Sequence, residues 1–551
     1  MAGVKRRLRI VLLLLGSCAL LVSCSDPAVG PAPTTEAASR DTDTLSALCS
    51  GVVAADLGEG TLCVDSGFRM DSDRFSFVNW GRSVAADDNV TVQTLVDLFG
   101  HSQVCMPGVQ SECVLRPRTV QALHDWNVAL AGGRCEGMAV LSQRMFLRYD
   151  TPQDFGGSFA TAADVTRSAR DLAPALVHWW ATQFVPEVAR AAAESRLRTP
   201  AQLVADLIEG LANGAGHTVG MYHRGTGHSV TPFAVTRRGG TWVVHVYDNN
   251  DPRTRREIVV RPSDGTWTYE APDGTWGGTT GSLELTPMSV RSGPFTCPFC
   301  TDDTGSLTEI MVSHTDGAAP STLALDAGEL GMLEQTPDGY TGTIDGAVVE
   351  PVKGSGGASA LLRLPAPVVD MQLELRGTDG VPHADATVTV RRAGHPHIQV
   401  RGAGPSAVTG SAAVVAPVIT TDSGRTTVNA AGGTLTVVIA GDSNLGTVTL
   451  EDGDRLEVSR LRNASGATAV ADVVLSRGGG ESRVSLELAP QSATDTELTV
   501  KNGVLTATAT ASTARRVSSA RRVRTGPVAA PVSPATTMAG TVPSVDVTLP
   551  G

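Results

Sequence analysis

The sequence predicts an α+β domain, helices first and an antiparallel sheet after, followed by all-β accessory structure. Three observations predict it. Apolar residues recur at helical spacing in stretches between 92 and 211; short β-rich runs separated by Gly, Asp or Pro turns fill 217–269; past about Pro287 the composition turns to Gly, Thr, Val, Ala and Ser with few aromatics. Helices followed by strands pack as α+β rather than as alternating parallel units.

The 551-residue chain opens with a basic segment (Lys5, Arg6, Arg7, Arg9), an apolar stretch (Ile10 to Leu15, Ala19 to Val22) and Leu21-Val22-Ser23-Cys24. This layout, 1–23, is that of a secretory signal and is too short for a dependable membrane span. Pro, Ala, Thr, Ser and Asp without apolar periodicity then make 24–46 a flexible tether. Within 47–286, Phe75 to Trp80 alternates like a short strand, Val92 to Phe99 reads as a helix ended by Gly100, and Thr119 to Leu130 as a second helix. Thr161 to Leu172 and Val177 to Ala193 carry helix formers, and Trp179, Trp180 and Phe184 read as core. Thr199-Pro200 supplies an N-cap and a first-turn proline for Ala201 to Leu211, which Asn213-Gly214 stops. The strands expected next are His217 to Tyr222, His228 to Thr236, Thr241 to Asp248, Arg256 to Val260 and Thr266 to Tyr269.

Beyond lie a β-rich junction domain (287–370) and an all-β accessory domain (371–512), read from runs such as Ala386 to Val390, Thr434 to Ile439 and Val504 to Ala509. The end, 513–551, has Arg515, Arg516, Arg521, Arg522 and Arg524 ahead of a Pro/Ala/Thr stretch, and reads as a disordered tail. The formal charge of −12 becomes about −16 once the basic leader is discounted, which argues against broad nucleic-acid binding.

Nine cysteines are present. Cys18 leaves with the signal, and six others form close pairs: Cys49 with Cys63, Cys105 with Cys113, Cys297 with Cys300. Export to an oxidising compartment makes these three expected disulfides. Cys297-Pro298-Phe299-Cys300 reads as a loop-fixing disulfide rather than a redox dithiol or half of a zinc knuckle. No histidine pair has zinc spacing, His-Glu-x-x-His is absent, and no cofactor is expected.

Cys24, at the end of the leader, and Cys135 are left over, and Cys135 is the one within the expected α+β domain. It lies behind Gly132-Gly133 and ahead of Met138, Leu141 and Met145, which share one helical stripe. In the first turn of that helix, exposed N–H groups and the helix dipole favour a thiolate, the nucleophilic form. The alternative is a buried structural thiol. Downstream, Gly227-His228-Ser229-Val230 opens one strand and Tyr247-Asp248-Asn249-Asn250 closes the next, which can set an imidazole and a carboxylate or amide at one sheet edge. His217, which also opens a strand after a glycine, competes for the base role; His124, His178, His223 and His245 read as surface or core.

Leu21-Val22-Ser23-Cys24 resembles a bacterial lipobox, which implies cleavage before Cys24, its acylation with a palmitate-type chain, and anchorage at the extracytoplasmic face of the cell membrane. Gly133-Arg134-Cys135-Glu136-Gly137-Met138, Gly227-His228-Ser229-Val230 and Tyr247-Asp248-Asn249-Asn250 together resemble the papain-like cysteine peptidase superfamily over roughly Leu48 to Thr286. That resemblance implies a papain-like α+β fold, Cys135 as nucleophile, His228 as general base and acid, and Asp248 as the orienting residue, with Asn249 or Asn250 as alternatives. It departs from papain in lacking a glutamine shortly before the cysteine; Gln121 is too far upstream, and Asn79 or Asn127 are the substitutes for an oxyanion donor. The expected activity is thiol hydrolysis of amide bonds in peptides, cell-wall peptides or exported proteins. The alternatives are a non-catalytic surface binding or adhesion lipoprotein on the same frame, and a transglutaminase-like acyl transferase. An enzyme needs an unbridged sulfur that substrate can reach; an entombed one leaves a binding scaffold.

Overall fold

The computed structural model describes Cys49, Leu57, Gly58 and residues 60–518, apart from 108–111, 301–307, 315–320, 337–338, 355–358, 365–370, 378–385, 393–394, 403–417, 422–424, 431–433, 463–468, 489–492, 502–503 and 513–515. The expected signal (1–23), Cys24, the expected tether (24–46) and 519–551 lie outside the described residues. The architecture is α+β: an N-terminal helical region, an antiparallel half-barrel sheet, and two further large sheets. Among the described residues no helix is long and apolar enough to cross a membrane.

After strand β1 (Thr61–Asp65), α1 (Val92–Phe99) starts where the Thr91 hydroxyl accepts from the Thr94 amide at 3.2 Å, and ends at Gly100. A short strand β2 (Glu112–Val114) precedes α2 (Pro117–Ala129), α3 (Cys135–Phe146), α4 (Leu172–Ala181), α5 (Pro186–Arg196) and α6 (Pro200–Ala212). Three local expectations give way. Phe75 to Trp80 joins no strand ladder, because Phe75, Phe77 and Trp80 pack on one another, with ring centroids 5.2 and 5.7 Å apart, instead of alternating across a sheet. Ahead of α4, which begins at Leu172, the stretch from Thr161 holds only a 3-10 helix, Ala162–Asp164, since the Asp164 carboxylate accepts from the Thr161 amide and hydroxyl and closes a single turn. The stretch from Val177 to Ala193 is split at Pro186, which has no N–H to continue a helix and instead starts α5.

The sheet that follows comprises β3 (His217–His223), β4 (Thr226–Arg238), β5 (Thr241–Tyr247), β6 (Arg255–Arg261), β7 (Thr266–Ala271), β8 (Gly274–Gly278) and β9 (Leu283–Pro287), in spatial order β8-β7-β6-β5-β4-β3-β9, with β1 also on β4. Both faces are covered. Val219, Val244 and Ile258 meet Leu203, Leu207 and Ile208 of α6 on one face; on the other, Phe233 and Tyr247 join Met138, Leu141 and Met145 of α3 and Leu176 and Trp179 of α4. Alternation along β4 and β5 sends successive side chains to the two cores.

Residues 308–511 build two nine-stranded sheets. One runs Val348–Pro351, Ala360–Leu364, Thr308–His314, Ala386–Arg392, His397–Gly402, Leu435–Ala440, Asn444–Leu450, Thr494–Lys501, Val504–Ala511. The other runs Gly339–Gly342, Met332–Thr336, Ser321–Asp326, Met371–Gly377, Val418–Thr421, Arg425–Asn429, Arg455–Arg462, Ala469–Arg477, Gly480–Glu487. One apolar core, from Ile310 to Leu505, lies between them. The boundary expected at 370/371 runs through both sheets: Thr308–His314 pairs with Ala386–Arg392, and Ser321–Asp326 with Met371–Gly377.

Helix α2 docks on this sandwich through polar contacts. Gln121 Nε2 donates to the carbonyls of His397 (3.2 Å) and Val438 (3.0 Å), and the buried Asp125 carboxylate accepts from Thr389 (3.0 Å) and Gln399 (2.8 Å). Gln121 is therefore committed to the β module. Within the expected disordered tail, Arg516–Ser518 form a strand on β2, whose short edge offers unpaired backbone groups that composition does not reveal.

Candidate functional site

Cys135 stands at the first position of α3, has no exposed surface and is, among the described residues, the free cysteine; Cys49–Cys63, Cys105–Cys113 and Cys297–Cys300 are bonded. Gly133, at φ +145°, sets the approach to the helix, and a Cβ there would come within 2.5 Å of Asn79 Nδ2. The Arg134 amide donates to Asn79 Oδ1 at 2.8 Å, while the Arg134 guanidinium lies 4.2 Å above the Trp80 ring. The turn carrying Cys135 is thus held from outside the helix.

β4 and β5 pair with Thr231 opposite Tyr247, which brings the start of one strand beside the end of the other. His228 Nε2 lies 2.7 Å from Asp248 Oδ1. Cys135 lies close enough to the same imidazole to favour its charged form. Asp248 is held in turn by the Tyr269 hydroxyl and by the Asn250 amide at 2.8 Å. Burial opposes charge on His228, but the Asp248 carboxylate and then Cys135 favour it, and the imidazole pKa is pushed up to about 10. Burial also works against the Asp248 carboxylate, yet His228, Tyr269 and the Asn250 amide hold it below its usual range.

The three residues after Tyr247 divide their work. Asp248 faces the imidazole. Asn249 does not: its Nδ2 donates to the Ser229 carbonyl at 2.8 Å and the Cys135 carbonyl at 3.2 Å, so it ties the sheet to α3 rather than orienting His228. Asn250 supplies an amide to Asp248 and accepts from Asn79 Nδ2 at 3.1 Å. Asn79 therefore lies at the site, whereas Asn127 bonds to the Val90 amide and carbonyl and to Leu123, away from it. His217 sits at the other end of β3, beside Gly210 and 3.3 Å from the Ala215 carbonyl, and burial pushes its pKa down to about 4. It takes no part with Cys135.

A second buried cluster begins one residue on. Glu136 pairs with Arg291 and, at 3.2 Å, with Lys353; Lys353 Nζ also reaches Glu284 at 2.5 Å, and Glu284 takes Arg196 at 2.7 Å. Burial disfavours all this charge, but the opposite charges prevail: Glu284 is held down to about 2, Glu136 below and Lys353 above their ordinary values. Lys353 comes from the β sandwich and escaped the sequence reading. Its signal was rarity, since lysine occurs only at 5, 353 and 501, and its ammonium is a compact point charge that here meets two carboxylates. Tyr269 and the Trp276 ring, 6.3 Å from that of His228, were also missed; β7 and β8 bring them in without any local motif.

Among the described residues His101, Cys105 and Cys113 have metal-ligand proximity, but the two sulfurs are spent in a disulfide. In the Asp248 to Asp251 stretch, Asp251 is paired to Arg256 at 2.5 Å and Asp248 to His228. The arrangement can move a proton between a thiol and an imidazole whose orientation a carboxylate fixes. No protein-family model, curated protein or solved structure matches this chain.

Proposed function

We propose that this chain is a thiol-dependent hydrolase of amide bonds. More particularly, we read it as a papain-like enzyme, lipid-anchored through Cys24 at the extracytoplasmic face of the membrane, acting on peptides, cell-wall peptides or exported proteins. One observation carries the reading: the His228 imidazole bonds Asp248 through Nε2 and has its charge favoured by Cys135, which stands at the N-terminus of α3.

In the step this supports, Cys135 Sγ, its proton already carried by the His228 imidazole that Asp248 keeps charged, bonds to the substrate carbonyl carbon and pushes negative charge onto the carbonyl oxygen. His228 returns that proton to the departing amine as the C–N bond breaks, leaving a thioester. Water, deprotonated by His228, then releases the acid and restores the thiolate. Asp248 keeps the imidazole oriented and its positive form stable. Negative charge on the carbonyl oxygen falls to the Cys135 backbone N–H, with Asn79 beside it in place of the glutamine papain uses. An amine in place of water would give acyl transfer by the same groups.

The covered sulfur favours the second reading, a binding lipoprotein on this frame. The two separate on the full chain treated with an electrophilic thiol probe and a peptide substrate library. Hydrolysis predicts that Cys135→Ala abolishes both labelling and turnover, and that His228→Ala lowers turnover about a thousandfold while the protein stays folded. Labelling that survives in Cys135→Ala would reject the nucleophile.

A further inference from the structure

The segment Val352–Gly354 leaves the sandwich strand Val348–Pro351 and runs between the two glycines that precede the reacting residues. The Gly354 amide donates at 2.9 Å to the carbonyl of Gly227, the residue before His228, and Lys353 forms a parallel bridge with Gly227. Gly354 itself, at φ +86°, presses on the carbonyl of Gly133, two residues before Cys135; a Cβ there would run into that oxygen. The Lys353 amide donates to Gln183 Oε1 at 2.8 Å, its carbonyl accepts from Trp180 Nε1 at 2.9 Å, and its ammonium reaches the buried Glu136 and Glu284. Val352 and Lys353 are 2% and 3% exposed, so the segment is seated, not draped. Backbone pairing along a strand edge with one side chain in a charged pocket is how extended peptides are held.

We propose that Val352–Lys353–Gly354 is an internal strap filling a peptide-binding edge of the Cys135 cleft, and that it closes off the sulfur until an extended peptide with a basic residue before glycine takes its seat. This accounts for a triad-like constellation whose sulfur has no exposed surface. The proposal rests on the thiol-hydrolase reading only for what the opened site then does.

The test uses the full chain with its disulfides intact, following alkylation of Cys135 by iodoacetamide through mass analysis of the peptide that contains it. Gly354→Val should dislodge the strap and raise the alkylation rate at least tenfold over wild type. In that variant acetyl-Val-Lys-Gly-amide should slow alkylation again, and acetyl-Val-Glu-Gly-amide should not. A wild-type rate in Gly354→Val, or equal action of the two peptides, overturns the proposal. Should the variant fail to fold, wild-type alkylation is measured in rising sub-denaturing urea. Local strap opening gives a rate nearly independent of urea, and a rate that climbs with the slope of global unfolding overturns it. Alkylation reads access and not catalysis, so a strap-released protein that labels quickly yet hydrolyses nothing would sink the hydrolase reading and leave the strap standing.

Discussion

Cys135 and Glu136 are neighbours on one helical turn, yet they head two buried polar clusters of opposite character. Around Cys135, a thiol, an imidazole and a carboxylate are linked in a line in which a proton can change owners. Around Glu136, two carboxylates and three cations are locked face to face, and every exchange of a proton would leave a buried charge exposed to its own kind. The roughly 100° turn between consecutive helical residues points one side chain at the edge formed by β4 and β5 and the other at β9 and the sandwich. A proton-exchanging cluster and a charge-locked one are thereby separated by one position in the chain.

The sharpest way to break that contrast is to unbalance the second cluster. Glu136→Gln leaves Arg291, Lys353 and Arg196 facing Glu284 alone, and should cost about 3–5 kcal/mol of folding stability by urea denaturation. Lys353→Met leaves two matched pairs, Glu136 with Arg291 and Glu284 with Arg196, and should cost only about 1–3 kcal/mol. Equal costs would mean the cluster is not governed by charge balance.

The first cluster should respond to pH instead. Because the His228 pKa is raised from 6.5 to about 10, its pairing with Asp248 contributes fully to stability below pH 6.5 and fades as pH rises through about 10. Asp248, held low, contributes fully above the ordinary carboxylate range and loses its share as pH falls from that range through its own lowered pKa. The stability gap between wild type and His228→Ala should accordingly be widest between those limits and narrow toward pH 10, as followed by thermal melts; a gap that widens toward pH 10 would contradict the ion pair. The smallest effect is expected for Tyr269→Phe, which removes one bond to Asp248 while the Asn250 amide stays. It should cost roughly 1–2 kcal/mol and displace the His228 titration followed by imidazole NMR.

Much of this was legible in the chain. The capping pattern at Thr199-Pro200, the glycine ahead of Cys135 and the turn-bounded runs from His217 onward are local signals, and the helices and strands follow them closely. That an imidazole and an acid would meet at one sheet edge followed from strand order alone. What stayed hidden depends on contacts far apart in sequence. Asp248 and Asn249 look interchangeable as letters, but they project to opposite sides of the strand end, so one meets His228 and the other the Cys135 carbonyl. Lys353 approaches from more than two hundred positions away, and nothing near it spells out Glu136 or Glu284. The interleaving of strands across 370 was likewise invisible, because a composition shift marks a change of surroundings and not which strands pair.

The return of Arg516–Ser518 to β2, beside the Cys105–Cys113 bridge, has a topological consequence. The polypeptide leaves the half-barrel once on its way to the sandwich and is buckled back onto the helical region at its far end, with α2 seated on the sheet in between. A single scission between Arg291 and Thr308 would then yield two fragments that remain associated, and the halves expressed separately should reassemble by fragment complementation.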